Sequence, residues 1–515
     1  MSSPGPAAKP PSGRFQFYGR WLGWAAAAMV AIHLVVALAQ CAYPYDNDQS
    51  YITFGVSHEI ASGENPWAER HVLTPPFTIP AYGPALHALG ALGYAVFGRH
   101  FWWLRLASLA GFVLSLVALS RFARSRSEST SLAWWAALIY VDLGPVVGAS
   151  ASGRGDFLAL GLMTFGASVL LEAPATEMAS YALAGLLCGT APLVKQLYVS
   201  AIAVGTLFCL LRRGGRNALV FLVAGAAPMM VTFAILQWRT GGGAWAIMVV
   251  YPSLAKKTLA HLVLLLIHLK RDPLFVLSLA TLALGLIAAW RLRRRFAWTR
   301  DDRFAFLVAW LPLAVAMSLF TGMRTIANGY WLELCFVVAA LLARLIPTLT
   351  PSLRVVPRLA TALGVLFLGG GLVGHARALH GVYLEWQAIP YYESLVDLVQ
   401  RRTSPDDKCF TEYSDIPERA GRSVLFNDYL LYGVTTARNR QLVQSSLDEG
   451  RFAILLLQPY AANIYDTSRY QRIATALPFP TKVWAVAPYL RRDLLTPADV
   501  ALDVPGGPKG VVVEP

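Results

Sequence analysis

Two carboxylates stand close together where the first long apolar run of the chain ends. The segment after that run reads Tyr45-Asp46-Asn47-Asp48-Gln49-Ser50-Tyr51. In extended backbone, side chains two positions apart point to the same side. Asp46 and Asp48 could therefore hold one divalent cation (Mg or Mn), or one of them could act as a general base. An ordinary solvated loop can also contain two such carboxylates. The Asp46 and Asp48 pair therefore indicates a functional site only together with other motifs of the sequence.

Further charged side chains occur at the ends of later apolar runs. Arg154-Gly155-Asp156 opens one run, and Lys195-Gln196 closes another. Arg324 precedes Tyr330, and Glu333 falls inside a run, where an ionisable group is costly and usually faces a protein interior or a cavity. Each of them could be a simple ion pair or an interfacial anchor. Arginine and lysine are also the side chains that bind a phosphate group.

The composition identifies the elements that must position these residues. Of the 515 residues, 56% are hydrophobic and only 14% are charged, whereas a soluble domain carries about 25% charged residues. The apolar runs are roughly 17–22 residues long, which is enough to cross a bilayer. We predict about eleven transmembrane helices, at 21–40, 104–120, 131–150, 157–171, 180–194, 197–211, 217–236, 273–290, 304–320, 329–346 and 358–375.

The basic residues predict the orientation in the membrane. The net charge of +14 comes mostly from clusters between apolar runs, which fits the positive-inside rule better than nucleic-acid binding. A cytoplasmic N-terminus and eleven spans place the arginines of 121–126, 212–216 and 291–303 inside. Residues 80–98 must then form a re-entrant or surface-lying helix on the outer face. The connection 237–271 does not follow this rule, because it carries five basic residues and yet falls on the outer side.

The chain divides into a membrane part and a more polar C-terminal part. We predict a cytoplasmic tail at 1–20, a transmembrane domain at 21–376 that includes an outer loop at 41–103, and an extracytoplasmic domain at 377–515. Short apolar runs at 423–426, 452–457 and 482–487 predict strands, and the uniformly apolar 452–457 predicts a strand buried on both faces. The C-terminal part is therefore expected to be a small α/β domain.

The segment 46–84 resembles the first outer loop of the GT-C superfamily of glycosyltransferases. That group includes protein O-mannosyltransferases and lipid A aminoarabinose transferases. In this chain the acidic pair is followed by an amphipathic stretch, a Gly-x-Asn-Pro-aromatic turn, Pro-Pro and Tyr82-Gly83-Pro84. The resemblance implies surface-lying helices in this loop, which agrees with the placement of 80–98 from charge.

Later motifs resemble the same superfamily in the same order. Ser152–Leu158 resembles its Arg-Pro-Asp element, with Gly155 in place of proline; Ala191–Gln196 resembles its lysine element, and Thr321–Glu333 a late Asn-Tyr-Phe-Leu-Glu-like stretch. The resemblance covers most of 40–345, and the C-terminal part fits more loosely. No single element is specific, so the order of the elements carries the comparison.

The resemblance implies an inverting glycosyltransferase of the inner cell membrane. Its donor would be a polyprenyl-phosphate-linked sugar held among membrane lipid, and its acceptor a hydroxyl of a glycan, a lipid or a protein. Asp48 is the expected base, with Asp46 as its partner or as a metal ligand. Arg154, Lys195 and Arg324 would bind the donor phosphate, and the substrate pocket would include Asp156, Tyr82, Gln196, Tyr330 and Glu333. The Asp-Asn-Asp spacing differs from the adjacent Asp-Glu of relatives, which leaves open which aspartate is the base and whether a metal is required.

Two other classes of protein would carry some of these features. A transporter or flippase of lipid-linked sugars also needs many spans and intramembrane charges, but such proteins often show two related halves, and the sequence shows no such symmetry. A membrane assembly protein could bind partners through its C-terminal domain and would not need Asp48. Convergence of Asp46, Asp48, Arg154 and Lys195 on one cavity would favour an enzyme.

The arginine distribution predicts the side of the membrane on which each connection lies. Reporter fusions after Arg126 and Arg295 should report the cytoplasm, and a fusion at the C-terminus should report the outside. A cytoplasmic C-terminus would contradict the odd number of spans.

Overall fold

The computed structural model of the chain is mainly helical. It describes residues 13–45, 51–68, 80, 82–98, 100–124, 130–250, 263, 267, 272–291, 301–322, 328–349, 355–411, 415–427, 437–457, 466–473 and 487–495. The helices of the membrane part are α1 (Gly13–Ala42), α2 (Tyr51–Ala61), α3 (Pro84–Phe97), α4 (Trp102–Ala123), α5 (Thr130–Asp142), α6 (Gly144–Ala149), α7 (Asp156–Glu172), α8 (Met178–Val194), α9 (Ser200–Arg212), α10 (Gly215–Arg239), α11 (Pro273–Arg291), α12 (Asp302–Gly322), α13 (Leu332–Leu349) and α14 (Val356–Gln387). Gly243–Trp245 and the π-helical turn Ala246–Val250 follow α10, and the 3₁₀ turn Asn328–Trp331 precedes α13.

The predicted polytopic membrane protein is confirmed at the level of the fold. In the described part of the chain, seven helices are long and apolar enough to cross a bilayer: Trp21–Ala42, Trp102–Ala123, Gly215–Arg239, Pro273–Arg291, Asp302–Thr321, Gly329–Ile346 and Arg358–Arg402. Shorter apolar helices at Pro84–Phe97, Met178–Val194 and Ser200–Arg212 accompany them. The count of eleven spans stays a prediction, as do the domain boundaries and the orientation of the termini.

The predicted span 131–150 is broken into α5 and α6. Leu143 between them has extended backbone, with φ −73° and ψ 129°. Pro145 explains the break, because proline has no N–H to donate to the carbonyl oxygen four residues earlier and its ring clashes with that carbonyl. The amide of Gly144 donates instead to Asp272 Oδ2 at 2.7 Å. The helical direction therefore changes in the middle of this apolar run.

Helix α13 lies at the centre of the bundle. In the span Gly329–Ile346, 94% of the residues are buried, as expected for a mostly apolar helix that other helices surround. Nearby, α4 and α7 cross at Gly111 and Gly161, where a Cβ on Gly161 would lie 2.2 Å from the Gly111 carbonyl oxygen. Small residues let the backbones of helices approach closely in a membrane. This contact fixes the position of α7, which begins at Asp156.

The loop between α1 and α4 contains two packed helices. Helix α2 packs against α3, and the ring centroids of Phe54 and Tyr94 lie 5.5 Å apart across that contact. At the start of α3, the Gly83 amide donates to the Val194 carbonyl at 3.0 Å. The loop is therefore joined directly to the end of α8. Whether α3 lies along the membrane surface stays a prediction.

The C-terminal part contains a mixed sheet. Its elements are α15 (Ile389–Arg402), β1 (Lys408–Thr411), α16 (Asp415–Arg419), β2 (Ser423–Asn427), α17 (Ala437–Asp448), β3 (Ile454–Leu457), β4 (Tyr470–Arg472), β5 (Ala487–Arg491) and the 3₁₀ turn Arg492–Leu494. The strand order is β2-β1-β3-β5-β4, with β1 parallel to both of its neighbours and β5 antiparallel to β3 and β4.

The predicted strands agree with this sheet where they can be compared. All four residues of β3 are buried, as the apolar run 452–457 predicts, and β2 covers the predicted 423–426. The third run, 482–487, lies outside the described residues except for Ala487, the first residue of β5.

A substitution at the α4–α7 crossing should weaken the bundle. In Gly161→Ala the new Cβ would meet the Gly111 backbone, and overpacking of this kind lowers the free energy of unfolding by about 1–3 kcal/mol. We expect a lower thermal midpoint in detergent. Gly369→Ala in α14 is the matched control, because a Cβ there meets nothing within 4 Å. Equal midpoints for the two variants would contradict the predicted close packing.

Candidate functional site

A buried ion pair joins the ends of two helices. Asp156 is the first residue of α7, and Lys195 directly follows the last residue of α8. Lys195 Nζ donates to Asp156 Oδ1, and the two side chains are only 3% and 1% exposed. A charge buried to this extent requires its partner. The Lys195–Asp156 pair is therefore the fixed point of the site.

Arg154 joins this pair from the turn before α7. Its Nε lies 3.8 Å from Asp156 Oδ2 and donates to the Tyr82 hydroxyl oxygen at 3.2 Å. The Arg154 side chain is 16% exposed, so it is the more accessible of the two cations. The structure thus brings together four of the residues singled out from the sequence: Tyr82, Arg154, Asp156 and Lys195.

Tyrosines surround the Lys195 ammonium. Its Nζ lies 5.1 Å from the ring centroid of Tyr82 and 5.3 Å from that of Tyr330, within the range of a cation–π contact. Tyr198 was not singled out from the sequence, yet its hydroxyl lies 3.5 Å from Asp156 Oδ1 and 3.3 Å from the Gly329 carbonyl oxygen. The lysine therefore lies between aromatic faces and a carboxylate.

Two glycines permit this arrangement. Gly155 has φ +72° and ψ 7°, a left-handed conformation that favours glycine and that proline cannot adopt. The replacement of proline in the Arg-Pro-Asp-like element therefore changes the local backbone between Arg154 and Asp156. At Gly329, a Cβ would lie 2.8 Å from the Asp156 carboxyl carbon. The turn Asn328–Trp331 can approach the carboxylate only because residue 329 has no side chain.

Burial controls the protonation of the lysine. It lowers the pKa of the Lys195 ammonium to about 8, while the Asp156 carboxylate opposes that shift and Arg154 adds to it. Burial also raises the pKa of the Tyr82 hydroxyl above its usual range. At neutral pH the site therefore holds a charged lysine and a neutral tyrosine.

Glu333 belongs to a neighbouring polar group. Its Oε1 accepts hydrogen bonds from Ser200 Oγ and, at 2.7 Å, from Trp310 Nε1. Trp310 Nε1 also lies 2.9 Å from Ser200 Oγ. Through these hydrogen bonds, Glu333 connects α13 to α9 and α12. Gln196 is half-buried next to Lys195, and its place in a substrate pocket stays a prediction.

Three of the singled-out residues lie outside the described residues: Asp46, Asp48 and Arg324. Their proposed roles as base, metal ligand and phosphate ligand stay predictions. Within the ranges that the structure describes, no group of three His, Cys, Asp or Glu side chains is arranged to hold a metal ion. The need for a divalent cation is therefore also untested.

Sequence comparison does not place the chain in a known family. No model of a protein family matches it, and no curated protein matches its sequence. The comparison with solved structures does find proteins with the fold described above.

Two structures of ArnT from Cupriavidus metallidurans have this fold. One is in the apo state and the other is bound to undecaprenyl phosphate. Each is 15% identical to this chain and covers 92% of it and 99% of its own length, with TM-scores of 0.61 and 0.60. The fold that the resemblance inferred from the sequence implies is thus confirmed over the 92% of the chain that the comparison covers.

Removing one partner of the buried pair should be more harmful than removing both charges. Asp156→Asn leaves the Lys195 ammonium buried without its carboxylate, a change that typically costs about 3–5 kcal/mol of the free energy of unfolding. We expect a lower thermal midpoint in detergent for Asp156→Asn, and a partial recovery in the double variant with Lys195→Met.

The matched control is another aspartate. Asp302 pairs with Arg213 at 3.1 Å but is 33% exposed, so Asp302→Asn should change the free energy of unfolding by about 1 kcal/mol or less. If Asp156→Asn changed the midpoint no more than Asp302→Asn did, the pair would not be the fixed point described here.

Proposed function

We propose that this chain is a membrane glycosyltransferase of the GT-C type. It would move a sugar from a polyprenyl-phosphate donor to an acceptor hydroxyl on the outer face of the membrane. The observation that carries the proposal is the ArnT fold over 92% of the chain, since one of the ArnT structures is bound to undecaprenyl phosphate. A buried cluster with two cations supplies side chains suited to such a phosphate.

Arg154 is the proposed first ligand of the donor phosphate. Its guanidinium can bind a phosphate through two hydrogen bonds at once, and its side chain is more exposed than that of Lys195. The contact with Tyr82 orients the guanidinium before a donor binds. Lys195 lies behind Arg154, where its positive charge would stabilise the departing phosphate through a low-dielectric interior. Arg324 is proposed as a further cation from the sequence alone.

Asp48 is the proposed general base. In a single displacement, its carboxylate would take the proton of the acceptor hydroxyl while the acceptor oxygen forms a bond to the anomeric carbon. The bond from that carbon to the phosphate oxygen would break, and the polyprenyl phosphate would leave with the electron pair. Attack from the side opposite to the leaving group inverts the anomeric carbon. Asp46 is the alternative base, and the two aspartates would be the ligands of a divalent cation if one binds.

Lipid analysis of cells that lack the protein tests the proposed function. A polyprenyl phosphate that carries a sugar should accumulate, because its consumer is missing. The same lipid then serves as the donor for the purified protein. If the protein were instead a transporter, cells that lack it would keep the lipid on the wrong side of the membrane. The purified transporter would not transfer the sugar from that lipid in detergent.

Replacing Asp48 tests the base. Asp48→Asn keeps the size of the side chain and removes its basicity, so the transfer rate should fall by roughly two or more orders of magnitude, while undecaprenyl phosphate still binds. Asp406→Asn in an exposed part of the C-terminal region is the control and should keep the parental rate. Parental rates in both Asp48→Asn and Asp46→Asn would contradict the mechanism.

A further inference from the structure

The end of helix α1 is held by a fully buried arginine. Arg105 in α4 is 0% exposed, and its guanidinium donates to three main-chain carbonyl oxygens of the chain that leaves α1. The distances are 3.2 Å to Gln40, 2.5 Å to Tyr43 and 2.8 Å to Tyr45. Few side chains other than arginine can donate in several directions at once. The backbone is therefore fixed up to Tyr45.

The C-terminal region holds the same segment from the other side. Arg419, the last residue of α16, donates to the Pro44 carbonyl oxygen, and its guanidinium carbon lies 4.6 Å from the Tyr45 ring centroid. Tyr392 of α15 stacks on the Tyr45 ring with a centroid distance of 5.0 Å. Tyr45 is only 4% exposed and Tyr392 only 3%. Residues Tyr45, Arg105, Tyr392 and Arg419 together form what we call the Tyr45 clamp.

The clamp lies next to the acidic segment in the sequence. Asp46 follows Tyr45 directly, and Asp48 is only three positions beyond Tyr45 in the sequence. At the other end, α2 begins at Tyr51 and packs against α3, which is joined to the end of α8 near Lys195. The chain on either side of the acidic segment is thus held by contacts with other elements, by the Tyr45 clamp before it and by the packing of α2 on α3 after it.

We propose that Arg419 and Arg105 are positioning residues for transfer, acting through Tyr45, so that the C-terminal region is a working part of the transferase. This inference rests on the proposed function. The clamp joins the end of α1, helix α4 and the C-terminal region, which are far apart in the sequence, and ordering such a contact costs conformational entropy. In return, the clamp stabilises the backbone at Tyr45, directly before the acidic segment. Fixing this backbone would mainly raise the rate of the chemical step, because transfer requires that the reacting atoms are held in a near-attack geometry.

A set of four variants tests the proposal: Arg419→Ala, Arg419→Lys, Tyr45→Ala and the double variant of Tyr45→Ala with Arg419→Ala. For each, we would measure the Kd for undecaprenyl phosphate and the single-turnover rate with the sugar-charged lipid that accumulates in cells lacking the protein. Arg419→Ala should lower the rate roughly 10- to 100-fold and leave the Kd unchanged.

The other variants separate positioning from general destabilisation. Arg419→Lys keeps a cation over the ring and should retain most of the rate. The double variant should lose less rate than the product of the two single losses, because the Arg419–Tyr45 contact is removed by either change. Arg451→Ala is the matched control in the same region: its side chain is 55% exposed in an ion pair with Glu449, and it should keep the parental rate.

A parental rate in Arg419→Ala would overturn the proposal, and so would additive losses in the double variant. A rise in Kd equal to the fall in rate would also overturn it, because the clamp would then serve binding rather than transfer. Parental rates in both Asp48→Asn and Asp46→Asn, or no accumulated lipid, would instead show that the proposed function itself is wrong.

Discussion

A buried ammonium–carboxylate contact organises this side of the bundle. Neither Lys195 nor Asp156 could stay charged in such surroundings alone, so the end of α8 and the start of α7 must meet. The other contacts follow from that meeting, since Gly155 turns the chain so that Arg154 reaches the same carboxylate, and Tyr198 lies between that carboxylate and the Gly329 carbonyl oxygen. A polar centre of this kind can exist within an apolar bundle because its charges face each other rather than lipid.

The apolar bundle and the polar centre make opposite demands on the backbone. Long uninterrupted helices satisfy their own hydrogen bonds in lipid, whereas side chains are brought together most closely where helices begin and end. Helix α7 begins and helix α8 ends at the ion pair, and a 3₁₀ turn precedes α13 beside it. The breaks in the helices are therefore concentrated where the charged and aromatic side chains meet, and the long helices α4, α10 and α13 support them.

The sequence predicts the membrane fold, and it predicts that Arg154, Asp156 and Lys195 occur in related positions, because run lengths and motif order are local properties. Contacts between distant parts of the chain are not local. Tyr198 contacts Gly329 across 131 positions of the sequence, and Arg419 contacts Pro44 across 375. The hydrophobic pattern of the sequence predicts neither contact. The break at Leu143 could have been predicted from Pro145, which cannot continue the hydrogen bonding of the preceding helix. The positive φ of Gly155 could not, since glycine adopts either sign.

Helices α14 and α15 form one nearly continuous rod, because Ala388 between them keeps helical backbone, with φ −82° and ψ −10°. The 45 residues of Arg358–Arg402 span about 68 Å, roughly twice the thickness of a bilayer's hydrocarbon core. Since a helix turns by about 100° per residue, one inserted residue would rotate Tyr392 a quarter-turn or more away from Tyr45. An insertion of seven residues, close to two full turns, would restore its phase but would move Tyr392 about 10 Å along the helix axis, away from Tyr45. The contact with Tyr45 therefore constrains the length of this rod as well as its rotation, whereas a flexible linker would carry no such constraint.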